Sequence, residues 1–221
     1  TTEIYTLSLH DALPICPSNP TGAVFSKETL QDVAQIAKKH DILLISDEIY
    51  DAFVYDVSYH SIATFYPKTI LLGGFSKTYG MPGWRMGFAS GPKDIIDKMT
   101  TLQQFTFVCA PTPAQFACSK AYSVDIKPYI ESYKKKRDLV YNGLVKNGFK
   151  VIKPAGSFYI FPEVPVGSDV EFCERAIEQE VLIIPGSTFS SRNTHFRISF
   201  ALSDSDIEKG LERLGKLAKN Q

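Results

Sequence analysis

The sequence has no excess of either charge and no long hydrophobic run. Its 24 lysine and arginine residues are matched by 24 aspartate and glutamate residues, so the formal net charge is zero at pH 7. A basic patch that would favour nucleic acid or an anionic membrane is therefore not indicated. No apolar stretch approaches the ~18 residues of a membrane helix, and the first residues lack the basic and then apolar order of a signal peptide. We expect a cytoplasmic protein with no nucleic acid or membrane partner.

Cysteine is also scarce. The four cysteines, which lie far apart with no Cys-x-x-Cys pair, are Cys16, Cys109, Cys118 and Cys173. This spacing favours buried or reduced thiols over a disulfide or zinc framework, so no metal site is expected. A hydrophobic share of 44% with 22% charged residues is typical of a chain that folds around a core. The 221 residues allow one large domain or one and a half ordinary ones.

The first fifteen residues, TTEIYTLSLHDALPI, show neither the alternation of a strand nor a complete helical stripe. They resemble the translated sequencing-adapter tails found at the ends of assembled fragments, and they lead abruptly into the turn-rich CPSNPTG. We therefore interpret residues 1–15 as a non-native tail and Cys16 as the first residue of the natural protein.

Helices and strands alternate in the next hundred residues. Apolar spacing predicts the helices, the first with Ser26 as its N-cap and the last with a break at Pro128. Continuous apolar runs predict the strands, the first of them buried on both faces. The predicted helices cover 26–40, 92–104 and 113–145, and the predicted strands cover 42–46, 69–75 and 85–90. This alternation indicates an α/β sheet.

After Gly148 the pattern changes to short strand candidates around one helix. A last amphipathic helix follows Ser203, which with Asp206 resembles a capping box. The predicted strands cover 149–152, 158–161, 181–184 and 195–200, and the predicted helix between them covers 169–180. These elements indicate a smaller α+β domain.

Several chemically capable side chains follow the predicted strands. In open α/β sheets the ligand crevice lies beyond the carboxyl ends of the strands, where Asp47, Tyr50, Ser76 and Lys77 occur. Lys77 lies among small residues in GGFSKTYGMPGWRMG, and a lysine becomes a nucleophile when a nearby cation or burial lowers its pKa. Arg85, eight residues later, could supply that cation and bind a phosphate. The alternative is a solvated lysine in a glycine-rich loop.

The segment around Lys77 closely resembles the class I/II aminotransferases, enzymes of fold type I that use pyridoxal 5'-phosphate (PLP). The residues that match the family's lysine signature are Gly74, Phe75, Ser76, Lys77, Arg85, Met86 and Gly87. Three more motifs occur in the family's order: SNPTG at 18–22, SDEIY at 46–50 and HFRISF at 195–200. The resemblance extends from about Cys16 to the C-terminus. It implies a partial PLP-binding large domain at 16–125, with a mainly parallel sheet and helices on both faces, and a small domain at 126–221.

The resemblance implies a role on the cofactor for several of these residues. Lys77 would hold PLP as a Schiff base and then act as base and acid. Asp47 would keep the pyridine nitrogen protonated, since a buried carboxylate raises the pKa of a nitrogen that it faces. Tyr50 would contact the ring oxygen, and Arg85 with Ser76 would bind the phosphate. From position alone, Asp47 could instead cap the turn after its strand.

Two residues far apart in the sequence are predicted to meet the substrate. An arginine within the apolar run HFRISF is costly unless its guanidinium meets an anion, and a substrate α-carboxylate is the natural partner of Arg197. The resemblance implies that Asn19 contacts both the cofactor oxygen and the substrate. The alternatives are an outward-facing arginine and an asparagine that only forms a turn.

The function implied is that of a PLP-dependent aminotransferase. It would transfer an amino group between an L-amino acid, with aspartate or aromatic types favoured, and a 2-oxo acid. Three alternatives stay open: a fold type I carbon–sulfur lyase or cyclopropane-carboxylate synthase, a transcription regulator with an aminotransferase-like sensor domain, and an inactive truncated fragment. The resemblance also implies a homodimer at full length. The family's N-terminal portion, with the loop that cradles the cofactor phosphate, has no counterpart in this sequence.

Overall fold

The computed structural model describes residues 15–219. They form two compact units, the first made of residues 15–17 and Val24–Ile126, the second of Ser18–Ala23 and residues 127–219. The tail predicted over residues 1–15 lies, apart from its last residue, outside the described residues. Within residues 15–219 no helix has the length and apolar character needed to span a membrane.

The first unit is built on a three-stranded sheet in the order β1-β2-β3. The strands are β1 (Leu44–Asp47), β2 (Thr69–Gly74) and β3 (Gly87–Ser90). The pairing of β1 with β2 is parallel, and that of β2 with β3 is antiparallel. The α/β class predicted from the alternation is confirmed.

The start and the burial of the first strand differ from the prediction. The strand predicted over 42–46 begins at Leu44, because the N–H of Ile42 bonds to the carbonyl of Ala37 and so closes the preceding helix. Burial on both faces was also wrong: Leu44 and Ile45 are half-buried, and Ser46 is the buried residue of the strand.

Three helices complete the first unit: α1 (Lys27–Lys39), α2 (Lys93–Gln104) and α3 (Thr112–Ala121). The predicted N-cap of α1 is confirmed, since the Ser26 hydroxyl accepts a hydrogen bond from the N–H of Thr29. Cys118 of α3 packs in a cluster with Phe75 and Met86, which flank the segment between β2 and β3. Cys109, before α3, is exposed and free, so of the two expected states only the reduced one applies to it.

The second unit is an α+β arrangement, as predicted. Its helices are α4 (Lys127–Lys146), α5 (Asp169–Glu178) and α6 (Asp204–Lys219). Its strands are β4 (Tyr159–Ile160), β5 (Ile184–Pro185) and β6 (Phe196–Ser199), and β6 lies between the other two with antiparallel pairing on both sides. The break at Pro128 is confirmed: proline takes the second position of α4, where its missing N–H costs nothing.

Two predicted strands of this unit were wrong. The segment 149–152 forms no strand, because Phe149 packs its ring against Phe172 and Phe196 and its N–H bonds to the carbonyl of Leu144 at the end of α4. The segment 181–184 becomes a strand only at Ile184, since earlier backbone closes α5. In both places a helix end takes the hydrogen bond that a strand would need.

The SNPTG turn belongs to the second unit through Gly22. The Gly22 carbonyl accepts hydrogen bonds from the N–H groups of Ala155 and Gly156, at 3.0 and 2.8 Å. A Cβ at this position would lie 2.4 Å from the Pro154 Cβ and 2.7 Å from the Gly156 oxygen. Its φ of +68° also lies in the left-handed region, so only glycine fits without strain.

We expect Gly22→Ala to lower the free energy of unfolding by about 2–4 kcal/mol, because left-handed backbone and overpacking each cost a residue with a Cβ about 1–3 kcal/mol. The matched control is Gly210→Ala in α6, where a Cβ meets nothing within 4 Å. It should be neutral or stabilise by up to about 1 kcal/mol through helix propensity. Urea unfolding of both variants measures the difference. Equal effects would show that the close approach at Gly22 does not constrain the fold.

Candidate active site

The carboxyl edge of β1 and β2 carries most of the predicted cofactor residues. Parallel pairing sets Asp47, the last residue of β1, opposite Leu72, and the pairing continues with a 2.9 Å bond from the Glu48 N–H to the Leu72 carbonyl. Lys77 follows β2 closely, and its Nζ lies 5.9 Å from the centroid of the Tyr50 ring. Two residues 27 positions apart in the sequence (77 − 50) are thus neighbours beyond the strand ends.

The turn after β1 positions Asp47 and Tyr50. The half-buried Asp47 accepts a 3.1 Å hydrogen bond at Oδ1 from the N–H of Ile49, so it does cap its turn. A carboxylate has two oxygens and about four acceptor positions, which makes capping compatible with a cofactor contact. The N–H of Asp51 bonds to the Glu48 carbonyl at 3.0 Å, and Tyr50, only 4% exposed, is held inside this turn.

The phosphate ligands predicted are Arg85 and Ser76, and both lie between β2 and β3. Arg85 is exposed and has a left-handed backbone, φ 53°, directly after the short 3₁₀ turn Pro82–Trp84. Its Nη1 donates to the carbonyl of Pro82 at 3.2 Å. A guanidinium has five N–H donors, so this bond leaves capacity for an anion. Ser76 is half-buried next to Lys77.

The second unit brings Arg197 and Asn19 together. The Arg197 Nη1 donates to Oδ1 of Asn19 at 2.8 Å, across 178 sequence positions. Two aromatic rings flank the guanidinium, with its central carbon 4.3 Å from the Tyr159 centroid and 4.7 Å from the Phe189 centroid. The Nε of Arg197 is buried and has no hydrogen-bond partner. A fixed, partly unsatisfied guanidinium of this kind is suited to a carboxylate.

Tyr159 and Phe189, which flank the guanidinium, were not predicted from the sequence to lie at this site. Tyr159 is opposite Ser199 in the pairing of β4 with β6, so alternation along β6 places it near Arg197. Phe189 follows the 3₁₀ turn Gly186–Thr188. The apolar character of both segments was visible, but the pairing that joins them to β6 was not.

A buried aspartate holds the turn before Phe189. Asp169, fully buried at the start of α5, accepts a 2.6 Å hydrogen bond at Oδ2 from the N–H of Ser187. Burial by itself raises the pKa of Asp169, but the hydrogen bonds from Ser187 and nearby backbone outweigh it and lower that pKa below its ordinary value. The ionised carboxylate is therefore the form that the fold stabilises.

Among the described residues, no group of three or more His, Cys, Asp or Glu side chains is arranged to bind a metal ion. The side chains described above offer an amine, carboxylates, a phenol and guanidinium groups. These are the groups that bind and activate an anionic organic cofactor and a carboxylate substrate.

Comparison with known proteins places this architecture in a family. The family described as "Aminotransferase class I and II" matches residues 14–214. The probable aspartate aminotransferase of Methanocaldococcus jannaschii is 41% identical over 206 residues, which are 88% of this chain and 55% of that protein. Aromatic-amino-acid aminotransferase 2 of Thermococcus litoralis is 38% identical over 218 residues, 93% of this chain and 56% of that protein.

A solved structure agrees with this family assignment. The aspartate aminotransferase from Thermus thermophilus with maleate superposes with a TM-score of 0.88 at 34% identity, over 93% of this chain and 56% of that one. The fold is thus that of the PLP enzymes of fold type I. This chain belongs to the class I and II aminotransferase family, and it spans about half the length of the relatives that it matches.

The hydrogen bonds of Asp169 predict an acid-sensitive contribution to stability. Its folded pKa is lowered, so this contribution is present above the unfolded value of about 3.9 and is lost as pH falls through the folded value. The stability difference between the wild type and Asp169→Asn should therefore be largest near neutral pH and shrink below about pH 4. Urea unfolding across this range measures it, with the exposed Glu208→Gln as the control for loss of one charge. A difference that stays constant with pH would contradict the assignment.

Proposed function

We propose that this chain is part of a PLP-dependent aminotransferase that moves an amino group between an L-amino acid and a 2-oxo acid. The observation that carries the proposal is the place of Lys77, next to Tyr50 at the strand edge that also presents Asp47. Family membership supports the same reaction class, since the matching relatives are named aminotransferases.

The residues of the first unit fit PLP group by group. Lys77 offers an amine for the aldehyde, Asp47 a carboxylate for the pyridine nitrogen, and Tyr50 a phenol for the ring oxygen. Arg85 and Ser76 offer donors for the phosphate. When bound, PLP supplies an electron sink for the carbanion formed at the substrate Cα. A contact of Asn19 with the cofactor stays a prediction.

The protein's own groups then handle protons and orientation. Lys77 would hold the cofactor through its Nζ, and the same amine, once released, would take up and return the proton of the substrate Cα. Asp47 would help to keep the ring nitrogen protonated. Arg197, held by Asn19 and by its two aromatic neighbours, would bind the α-carboxylate of the substrate.

Aspartate and aromatic amino acids are the substrates that we propose. The names of the relatives point to them, and the Thermus relative was solved with maleate, a dicarboxylate. A homodimer in the cytoplasm is the corresponding proposal for the assembly and its location. A carbon–sulfur lyase would use the same residues, so a 2-oxo acid that forms without any amino acceptor would contradict transfer.

Replacing Lys77 should abolish covalent attachment of the cofactor. We expect the purified chain to develop a visible absorbance band with PLP, and Lys77→Ala to lack it because the Schiff base needs the Lys77 amine. Lys98→Ala, an exposed change on α2, is the matched control and should keep the band. Persistence of the band in Lys77→Ala would reject the assignment.

Arg197→Lys should weaken binding of the carboxylate. Lysine keeps the charge but loses both the planar fork and the stacking on the two rings, so we expect about 10–100-fold weaker binding of maleate. The dissociation constant from calorimetry or from the absorbance of the bound cofactor measures this. The exposed Arg192→Lys serves as the control. Equal affinity in the Arg197→Lys variant and the wild type would remove Arg197 from the substrate site.

A further inference from the structure

We propose that Glu48 is a positioning residue that fixes the turn carrying Asp47 and Tyr50 through the hydroxyls of Tyr59 and Ser61. This inference rests on the proposed function, because it concerns how the two cofactor-facing residues are held. Glu48 lies between them in the sequence, and the family signature considered above gave it no role.

Glu48 is buried, 5% exposed, and both oxygens of its carboxylate accept hydrogen bonds. Its Oε1 accepts hydrogen bonds from the hydroxyls of Ser46 at 2.9 Å and Ser61 at 2.8 Å, and its Oε2 accepts one from Tyr59 at 2.5 Å. A buried carboxylate is costly unless such donors satisfy it. Three donors from two separate segments therefore tie the residue to one position.

The backbone of Glu48 is fixed as well. Its N–H donates to the Leu72 carbonyl of β2, and its carbonyl accepts from the N–H of Asp51 across the turn. Successive side chains of an extended chain point to opposite sides. The hydrogen bond between Ser46 and Glu48 shows that these two share one side, so Asp47 faces the other. The hydroxyl cluster thereby sets the direction of the Asp47 carboxylate.

Electrostatics favours the protonated form of the Tyr59 hydroxyl. Burial, and then the hydrogen bond to Glu48, raise the pKa of Tyr59 well above its usual range, so its hydroxyl stays a donor. The charge of Glu48 also acts on Asp51 and Cys16. Burial raises the pKa of both, and that charge raises it further.

The test uses Glu48→Gln, Tyr59→Phe and Ser61→Ala, with the exposed Asp32→Asn of α1 as the control. For each purified chain, one measures the dissociation constant for PLP, the pH midpoint of the absorbance change of bound PLP, and the melting temperature without PLP. We expect Glu48→Gln to weaken PLP binding by about tenfold, the effect of losing a hydrogen bond to a charged group, and to shift the pH midpoint. Tyr59→Phe and Ser61→Ala should shift it in the same direction by less.

The double variant Glu48→Gln with Tyr59→Phe adds a test of coupling. Its effect on the PLP dissociation constant should be smaller than the product of the two single effects, because both substitutions break the same hydrogen bond. If Glu48→Gln does not fold, the same measurements on Tyr59→Phe and Ser61→Ala test the proposal.

The outcomes separate this inference from the function on which it rests. Variants that lower only the melting temperature, with wild-type affinity and pH midpoint, would overturn the positioning role and leave the function standing. A wild-type chain that forms no Lys77-dependent band with PLP would overturn both.

Discussion

The parallel pairing of β1 with β2 is the constraint on which the chemistry of the first unit depends. Its register places Asp47 opposite Leu72, so both strands end at one edge and the segment after β2 returns Lys77 to the Tyr50 ring. A slip of one residue would exchange the sides of Asp47 and its neighbour Glu48. That neighbour accepts hydrogen bonds from three hydroxyls, so the wrong register would bury Asp47 without partners and leave the hydroxyls unpaired.

The second unit accommodates an arginine within an apolar strand. Two aromatic rings lie next to the guanidinium of Arg197, Asn19 accepts a hydrogen bond from its Nη1, and its Nε is buried and unpaired. The unpaired Nε costs stability, and a bound carboxylate would restore it. Such costs are common at binding sites.

Local signals in the sequence predicted most of the helices and strands. They failed where the structure depends on pairing between distant segments. The Ser26 cap, the break at Pro128 and the strands around β1 and β2 follow from spacing and turn chemistry. The segment 149–152 has the composition of a strand. Phe149 nevertheless packs in an aromatic cluster, and the segment forms no hydrogen-bonded ladder with a strand. The rings beside Arg197 depend on the pairing of β4 with β6 and on a turn held by Asp169, neither of which periodicity along the chain can show.

The proposed function requires that Lys77 bind the cofactor covalently. The most direct test of this role is to incubate the purified chain with PLP, reduce with borohydride, and map the modified peptide by mass spectrometry. We expect one phosphopyridoxyl group per chain, on Lys77. A label spread over the surface lysines, or an unmodified Lys77 next to a single labelled lysine elsewhere, would contradict it.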